Sequence, residues 1–520
     1  MCGPEEWPSS GSNPADRIRL TGPAAFIFLM PSRSARHSEC GVLFVRNLVT
    51  VPRRRTHQPC VLTVPAISRL NEFVSANIPE DPEPMNRLLA NALTCAVIAS
   101  LSMPATSMPA TAQAADNQHW IGTWAAAPQP AIPGHVQSLR NQTLRLIVHT
   151  SAGGTKVRIK ISNTYGDQPL FIGGAHIARR TAVADIEPSS DRTLMFHGQR
   201  STTIPARSMT ISDPVDLDTP ATSDLAISLF LPNATQTTTS HILAKQTSYV
   251  SAGPGDFTAA VKFPEAKKIS SWPFLSGVDV AASSAGVSIV AFGSSLTDGD
   301  GSESDRNARW PDVLAERLQK SAGWKSEVGV LNEGIIGNRL LNDSPEQAVG
   351  GEFGASLGQS GLTRFERDVL DQAGVKYVIV GLGINDIAFP GSLTPASESI
   401  KAESIIAGYH QLIARAHSRG IRIIGTTNPP FENSYLDFKP PAPRITFYTP
   451  DKESVREKVN AWILGSGEFD GVVDLDAVLR DPSHPTQLLP SYDSGDHLHP
   501  NNAGCRSEGT AIPLWLFEDH

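Results

Sequence analysis

From Trp120 to about Pro273, apolar and polar residues alternate in short runs. In "TLRLIVHT" (Thr143–Thr150), Leu144, Leu146 and Val148 alternate with Arg145 and His149. In "KVRIKIS" (Lys156–Ser162), Val157, Ile159 and Ile161 alternate with charged neighbours. A period of two predicts strands with one face buried, and Gly153-Gly154 between the runs predicts a turn joining them as a hairpin. "DLAISLFLP" (Asp224–Pro232) reads as a further strand closed by its proline. Short strands, frequent Gly, Pro, Asn and Asp, and almost no helical stretch predict an all-β sandwich or jelly-roll-like domain over 115–275.

After Gly286 the pattern changes. The near-continuous apolar runs are Val287–Phe292, Val328–Leu331, Tyr377–Leu382, Ile421–Thr426 and Val472–Leu475. Between them lie helix-period segments: Arg309–Lys320, Ile405–Gly420 and Lys452–Leu464. Strands without alternation are expected where helices cover both faces of a parallel sheet. Residues 286–520 are therefore expected to form a doubly wound α/β domain, with ligands at the carboxyl ends of its strands.

The first hundred residues read differently. Met85 opens "MNRLLANALTCAVIASLSMPATSMPATAQA", with Arg87, an apolar run through Leu101, and a small-residue end at Ala112-Gln113-Ala114. That is the pattern of a secretory signal peptide over 85–114, with translation starting at Met85 and 1–84 an over-extended start. The rival reading makes 1–84 a disordered leader and Met85–Leu101 a membrane anchor, although the apolar run is short for a span. Residues 1–84 contain no Lys but hold Arg53, Arg54 and Arg55 and three of the five Cys: Cys2, Cys40 and Cys60. Cleavage after Ala114 also removes Cys95, leaving Cys505 alone; no intrachain disulfide is then expected, and Cys505 reads as a buried apolar filler. A net charge of −8 on 520 residues argues against nucleic acid or an anionic membrane as main partner.

Three predicted strand ends and one loop close to the C-terminus carry chemistry. "SIVAFGSSLTDGD" (Ser288–Asp300) breaks at Gly293 and offers Ser295, a residue that this stretch alone cannot distinguish from part of a turn. "NEGIIGNRLL" (Asn332–Leu341) contains Gly337-Asn338, "GLGIND" (Gly381–Asp386) contains Asn385, and "DHLHPNNAG" (Asp496–Gly504) places Asp496 three residues before His499. Nucleophile, oxyanion donors, base and orienter are the parts of an acyl-transfer site. Asn385 also suits a helix N-cap, Asp386 a cap or structural tie, and His497 competes with His499 for the base. His410 and His417 read as surface or packing residues, and Asp474 and Asp476 as loop ties. "GLGIND" fails the dinucleotide fingerprint at Asp386, and there is no P-loop, H-E-x-x-H or Cys pair for zinc.

These four blocks, in this order, together with "RWPDVLAERL", resemble the GDSL or SGNH hydrolases over roughly 287–520. "RNQTLRLIVHTSAGGTKVRIKISNTYG" (Arg140–Gly166) resembles the β-rich N-terminal domain of the secreted two-domain subset. The resemblance implies an SGNH-type α/β/α sandwich preceded by a β domain. It implies an ester hydrolase acting through Ser295, His499 and Asp496, with an oxyanion hole of Ser295, Gly337 and Asn385 and no cofactor. The family's usual Asp before the nucleophile is Ser294 here; its hydroxyl is expected to take over part of the loop-tying, without charge assistance. Substrates implied are small or carbohydrate esters with short acyl groups, the β domain binding glycan by analogy of fold. A non-catalytic glycan-binding protein and an acyltransferase with the same triad are the competing readings, and the oligomeric state is open.

Overall fold

A computed structural model describes residues 118–132, 136–321, 327–344, 353–437 and 444–518. The leader, signal-peptide and anchor readings of 1–84 and 85–114 lie outside them. No helix among the described residues is long and apolar enough to cross a membrane.

The strand-rich half contains β1 (His119–Ala125), β2 (Gln142–His149), β3 (Gly154–Ser162), β4 (Gly174–Ala182), β5 (Asp224–Leu231), β6 (Ser248–Ser251) and β7 (Leu275–Ala282). Two antiparallel sheets arise from them. One runs β1-β7-β3, with two short edge strands on β3; the other runs β6-β2-β5-β4 with further short strands at its edges. Leu144, Leu146 and Val148 from one sheet join Val157, Ile159 and Ile161 from the other in a single buried cluster.

The expected hairpin is not formed. β2 pairs with β5 and β6, whereas β3 pairs with β7. The connection crosses between sheets because its polar groups find partners elsewhere. Thr150 Oγ1 donates to Pro220 O, and Ser151 Oγ donates to Thr123 O while accepting from Val330 N. Nor is the second face of β2 solvated. Ile147 joins a smaller cluster there, and Arg145 is wholly buried with its guanidinium spread over Ser228 Oγ and the carbonyls of Ala184, Phe257, Thr258 and Ala260.

The second half contributes β8 (Val287–Gly293), α1 (Ser295–Asp298), α2 (Trp310–Lys320), β9 (Val328–Gly334), α3 (Gly361–Phe365), β10 (Val375–Gly381), α4 (Ile384–Ala388), α5 (Ala402–Ser418), β11 (Arg422–Thr426), α6 (Pro450–Gly465), β12 (Gly471–Val473), α7 (Leu475–Leu479) and α8 (Asn502–Ala511). Its sheet is wholly parallel, in the order β9-β8-β10-β11-β12. Val290 and Phe292 face one buried cluster, shared with α5 and α6; Ile289 and Ala291 face another, shared with α2. Double-sided burial is why these strands carry no alternation. β12 stops at Val473, short of the predicted Leu475, because Asp474 caps α7 by accepting from Ala477 N.

This strand order puts the topological switch between β8 and β10, so a crevice is expected beyond their carboxyl ends. The two halves also touch along β1 and β9. Gly329 lies so close to β1 that a Cβ there would stand 1.8 Å from Gly122 O. Ser288 Oγ accepts from Gly122 N and donates to Ala373 O.

Candidate active site

Ser295 is the first residue of α1, directly after β8, and is 4% exposed. As a first helical residue its N–H has no partner inside the helix. From the far end of the chain, His499 brings Nε2 to 2.9 Å from Ser295 Oγ. Its Nδ1 stands 2.6 Å from Asp496 Oδ2. The three-residue spacing works because Asp496 Oδ1 accepts the N–H groups of Leu498 and His499, folding a short turn that aims Oδ2 at the ring.

Electrostatics follow this geometry. Burial opposes ionisation of Asp496, but the hydrogen bond and charge of His499 and the two backbone donors outweigh it, taking its pKa down to about 2. For His499, burial opposes the cation, while Asp300 and then Asp496 favour it, and the net shift is upward. Asp300 was not singled out from the sequence. Its Oδ2 lies 3.8 Å from His499 Nε2, and its Oδ1 lies 3.5 Å from Lys245 Nζ, which arrives from the strand-rich half. A general base must be neutral, so activity falls as pH drops through a pKa that lies above the usual histidine value. Asp300→Asn removes the largest influence raising it, so the acid limb of kcat/KM should move to lower pH; a limb that stays in place would deny Asp300 this influence.

Gly337 takes a left-handed φ of +69°, a conformation that suits glycine, and a Cβ there would press within 2.9 Å of the Leu357 side chain. Asn385 is the second residue of α4, whose N-cap is Gly383, so it is not the cap. One hydrogen of its amide goes to Asn338 O at 2.9 Å, and the amide has a second to offer. Asp386 is a tie: it accepts Leu340 N and Leu341 N at 2.6 and 2.9 Å, and burial raises its pKa to about 6 despite those donors.

Ser295, Gly337, Asn385, Asp496 and His499 line one cavity of about 100 Å³, together with Ile336, Leu357, Phe389, Phe447 and Leu498. Most of the remaining lining is apolar. This constellation can transfer a proton from a hydroxyl to an imidazole beside two or three hydrogen-bond donors.

Other sequence candidates lie apart from it. His497 pairs with Asp493 at 2.5 Å, not with Asp496, in a left-handed turn. His410 and His417 pair with Glu468 and Asp470 on half-exposed surface. Asp476 is tied to Arg456 and Arg480. Cys505 is a buried free thiol.

The expected tie at Ser294 is absent. Its hydroxyl is buried without a partner. The loops are held by Arg364 instead, a residue that sequence reasoning missed. Its guanidinium donates to Gly293 O (2.9 Å), Glu333 O (2.8 Å), Asn338 Oδ1 (3.0 Å) and Asp368 Oδ2 (3.1 Å), and it lies over the Phe292 ring. Helical spacing places Arg364 in a short turn between β9 and β10, and nothing in that spacing distinguishes a buried Arg from a solvated one.

Residues 289–506 match the family described as GDSL-like Lipase/Acylhydrolase. No curated protein matches the chain significantly. Among solved structures, the native M. smegmatis aryl esterase is similar at 20% identity over 43% of this chain and 95% of its own, with a TM-score of 0.32. Est24, a carbohydrate acetylesterase from Sinorhizobium meliloti, is similar at 18% identity over 44% of this chain and 96% of its own, with a TM-score of 0.30.

Proposed function

With residues 289–506 as a GDSL-like lipase/acylhydrolase domain, we propose that this chain is a secreted serine esterase that cleaves short-chain acyl esters through an acyl-serine intermediate. The observation that carries the reading is His499 standing between Ser295 Oγ and Asp496 Oδ2, at 2.9 and 2.6 Å. Ser295 Oγ attacks the ester carbonyl while His499 Nε2 takes its proton. Asp496 fixes the tautomer and stabilises the imidazolium. The oxyanion forms among the N–H groups of Ser295 and Gly337 and the remaining amide hydrogen of Asn385. His499 then returns the proton to the leaving alcohol, and water repeats the sequence in reverse to free the acid.

The apolar walls given by Leu357, Phe389 and Phe447 suit an acyl chain better than a sugar ring, which favours a reading with any carbohydrate on the alcohol side of the ester. The α/β/α layering of the C-terminal half, the sandwich character of the strand-rich half and export by a signal ending at Ala114 belong to the same reading. N-terminal sequencing of exported protein should begin at Ala115; retention of residues 85–114 would defeat the export part.

The test is hydrolysis of p-nitrophenyl esters of increasing chain length, with fluorophosphonate labelling in parallel. Turnover with labelling at Ser295 supports the esterase, and a folded protein that does neither leaves a binding protein as the better account. Asn385→Ala should cost about 10²–10³ in kcat with little change in KM, since its second hydrogen serves the transition state. A rise in KM alone would remove Asn385 from the oxyanion hole.

A further inference from the structure

The strand-rich half reaches into the catalytic loops through His241. This side chain is 3% exposed and sits beside the Trp272 ring, 5.6 Å between centroids. Its Nδ1 lies 3.0 Å from Ala127 O and its Nε2 lies 2.9 Å from Asp298 Oδ1. Both partners are acceptors. A neutral imidazole has one hydrogen to give, so satisfying both requires the imidazolium. Asp298, the last residue of α1 and 2% exposed, uses its other oxygen to accept Ile336 N at 2.9 Å. Ile336 directly precedes Gly337, whose N–H is assigned to the oxyanion.

We propose that His241 is a positioning residue for ester hydrolysis, holding Asp298, and through it the Ile336-Gly337 backbone, in the geometry that receives the oxyanion. The inference rests on the esterase reading above. It also gives the strand-rich half a task inside the catalytic site. Three further contacts brace the same region. Lys245 meets Asp300, Arg309 Nη1 donates to Ala244 O, and the Asp305 carboxylate accepts from Gln246 Nε2, Thr247 N and Thr247 Oγ1.

The charged groups acting on His241 are Asp298, which favours its cation, and Arg309, which opposes it; Arg309 is itself paired with Asp312 at 2.7 Å. Burial works against the cation as well, yet the balance lies toward it, so the His241 pKa stands above the usual histidine value. The pair of hydrogen bonds to Ala127 O and Asp298 is therefore complete at low pH and broken as pH rises through that value. The one hydrogen that remains stays on Nε2 with the carboxylate, so Nδ1 faces Ala127 O lone pair to lone pair and the ring must turn. The turned ring loosens its hold on Asp298, and the Gly337 loop loses its anchor. His241 thus supplies an alkaline limb to kcat, where His499 supplies the acid one.

The experiment measures kcat and KM for p-nitrophenyl acetate against pH with the full chain, comparing wild type, His241→Ala and His241→Gln. His241→Ala should lower kcat on the order of 10–100-fold, below the loss for removing an oxyanion donor outright, with KM changed by no more than about threefold. The Gln amide donates to Asp298 without titrating, so His241→Gln should recover much of the rate and lose the alkaline limb. Unchanged kcat in folded His241→Ala, or a loss confined to KM, overturns the proposal. If His241→Ala does not fold, His241→Gln decides: an alkaline limb identical to wild type overturns it. Fluorophosphonate labelling of wild type separates the premise. A wild type that neither labels nor turns over defeats the esterase reading, whereas full rates in labelled His241 variants defeat only this role.

Discussion

Ser295→Ala should lower ester turnover by about 10⁵–10⁶-fold and abolish fluorophosphonate labelling, while the protein stays folded. The magnitude follows from what is lost. Without Oγ there is no nucleophile, and His499 has no proton to accept at 2.9 Å. The donors around the oxyanion remain, so a small rate above that of water should survive through direct attack by water. Stability should change little, since the hydroxyl sits at the wall of a cavity and its removal leaves no buried charge. The same loss is expected for His499→Ala, and the double variant should be hardly worse than either, because groups acting as one unit are not additive. A variant that retains turnover would move the chemistry away from Ser295 altogether.

Arg364→Met should destabilise the fold by about 3–5 kcal/mol, the usual cost of removing one partner of a buried charge cluster. The guanidinium is 1% exposed, Asp368 1% and Glu333 1%. Burial and then the neighbouring Asp368 already push the Glu333 carboxyl well above its ordinary range, with Arg364 pulling the other way. Taking the cation away removes the largest charge opposing that rise in Glu333, while Asp368 stays beside it, held by Arg367. The folded-state pKa of Glu333 then rises further above the unfolded one, so the folded protein binds more protons and loses stability as pH rises. Destabilisation, read as the shift in urea midpoint, should therefore be larger at alkaline than at acid pH. A midpoint indifferent to the substitution would show that Gly293, Glu333 and Asn338 hold their places without it.

Why the site was so legible and its supports were not is a matter of period and partner. Ser295 heads a short helix at a strand end, and Asp496 and His499 sit in a short loop whose residue order already encodes the turn; Asp496 three before His499 is a local geometry, complete within four residues. The parallel strands were visible because double-sided burial leaves unbroken apolar runs. Arg364, Asp298 and His241 are different. Each reads as an ordinary polar residue until the chain is folded, and their partners lie at Gly293, Ile336 and Ala127, set by tertiary contacts that no period records. The supposed hairpin failed for the same reason. Gly153-Gly154 permits a tight turn, but Thr150 and Ser151 found better partners in Pro220, Thr123 and Val330, and those partners decided which sheet received β3.

The crossing of β1 over β9 restricts how such a chain can be rearranged in evolution. At Gly329 the backbone of one half touches the backbone of the other, with a Cβ excluded by the carbonyl of Gly122. Halves joined this way cannot be exchanged as independent cassettes. A foreign parallel-sheet half would need a glycine at this one place, in register with the other, before any of its site residues mattered. The lineage of the strand-rich half is thereby bound to that of the parallel-sheet half, and the two are expected to have diversified together.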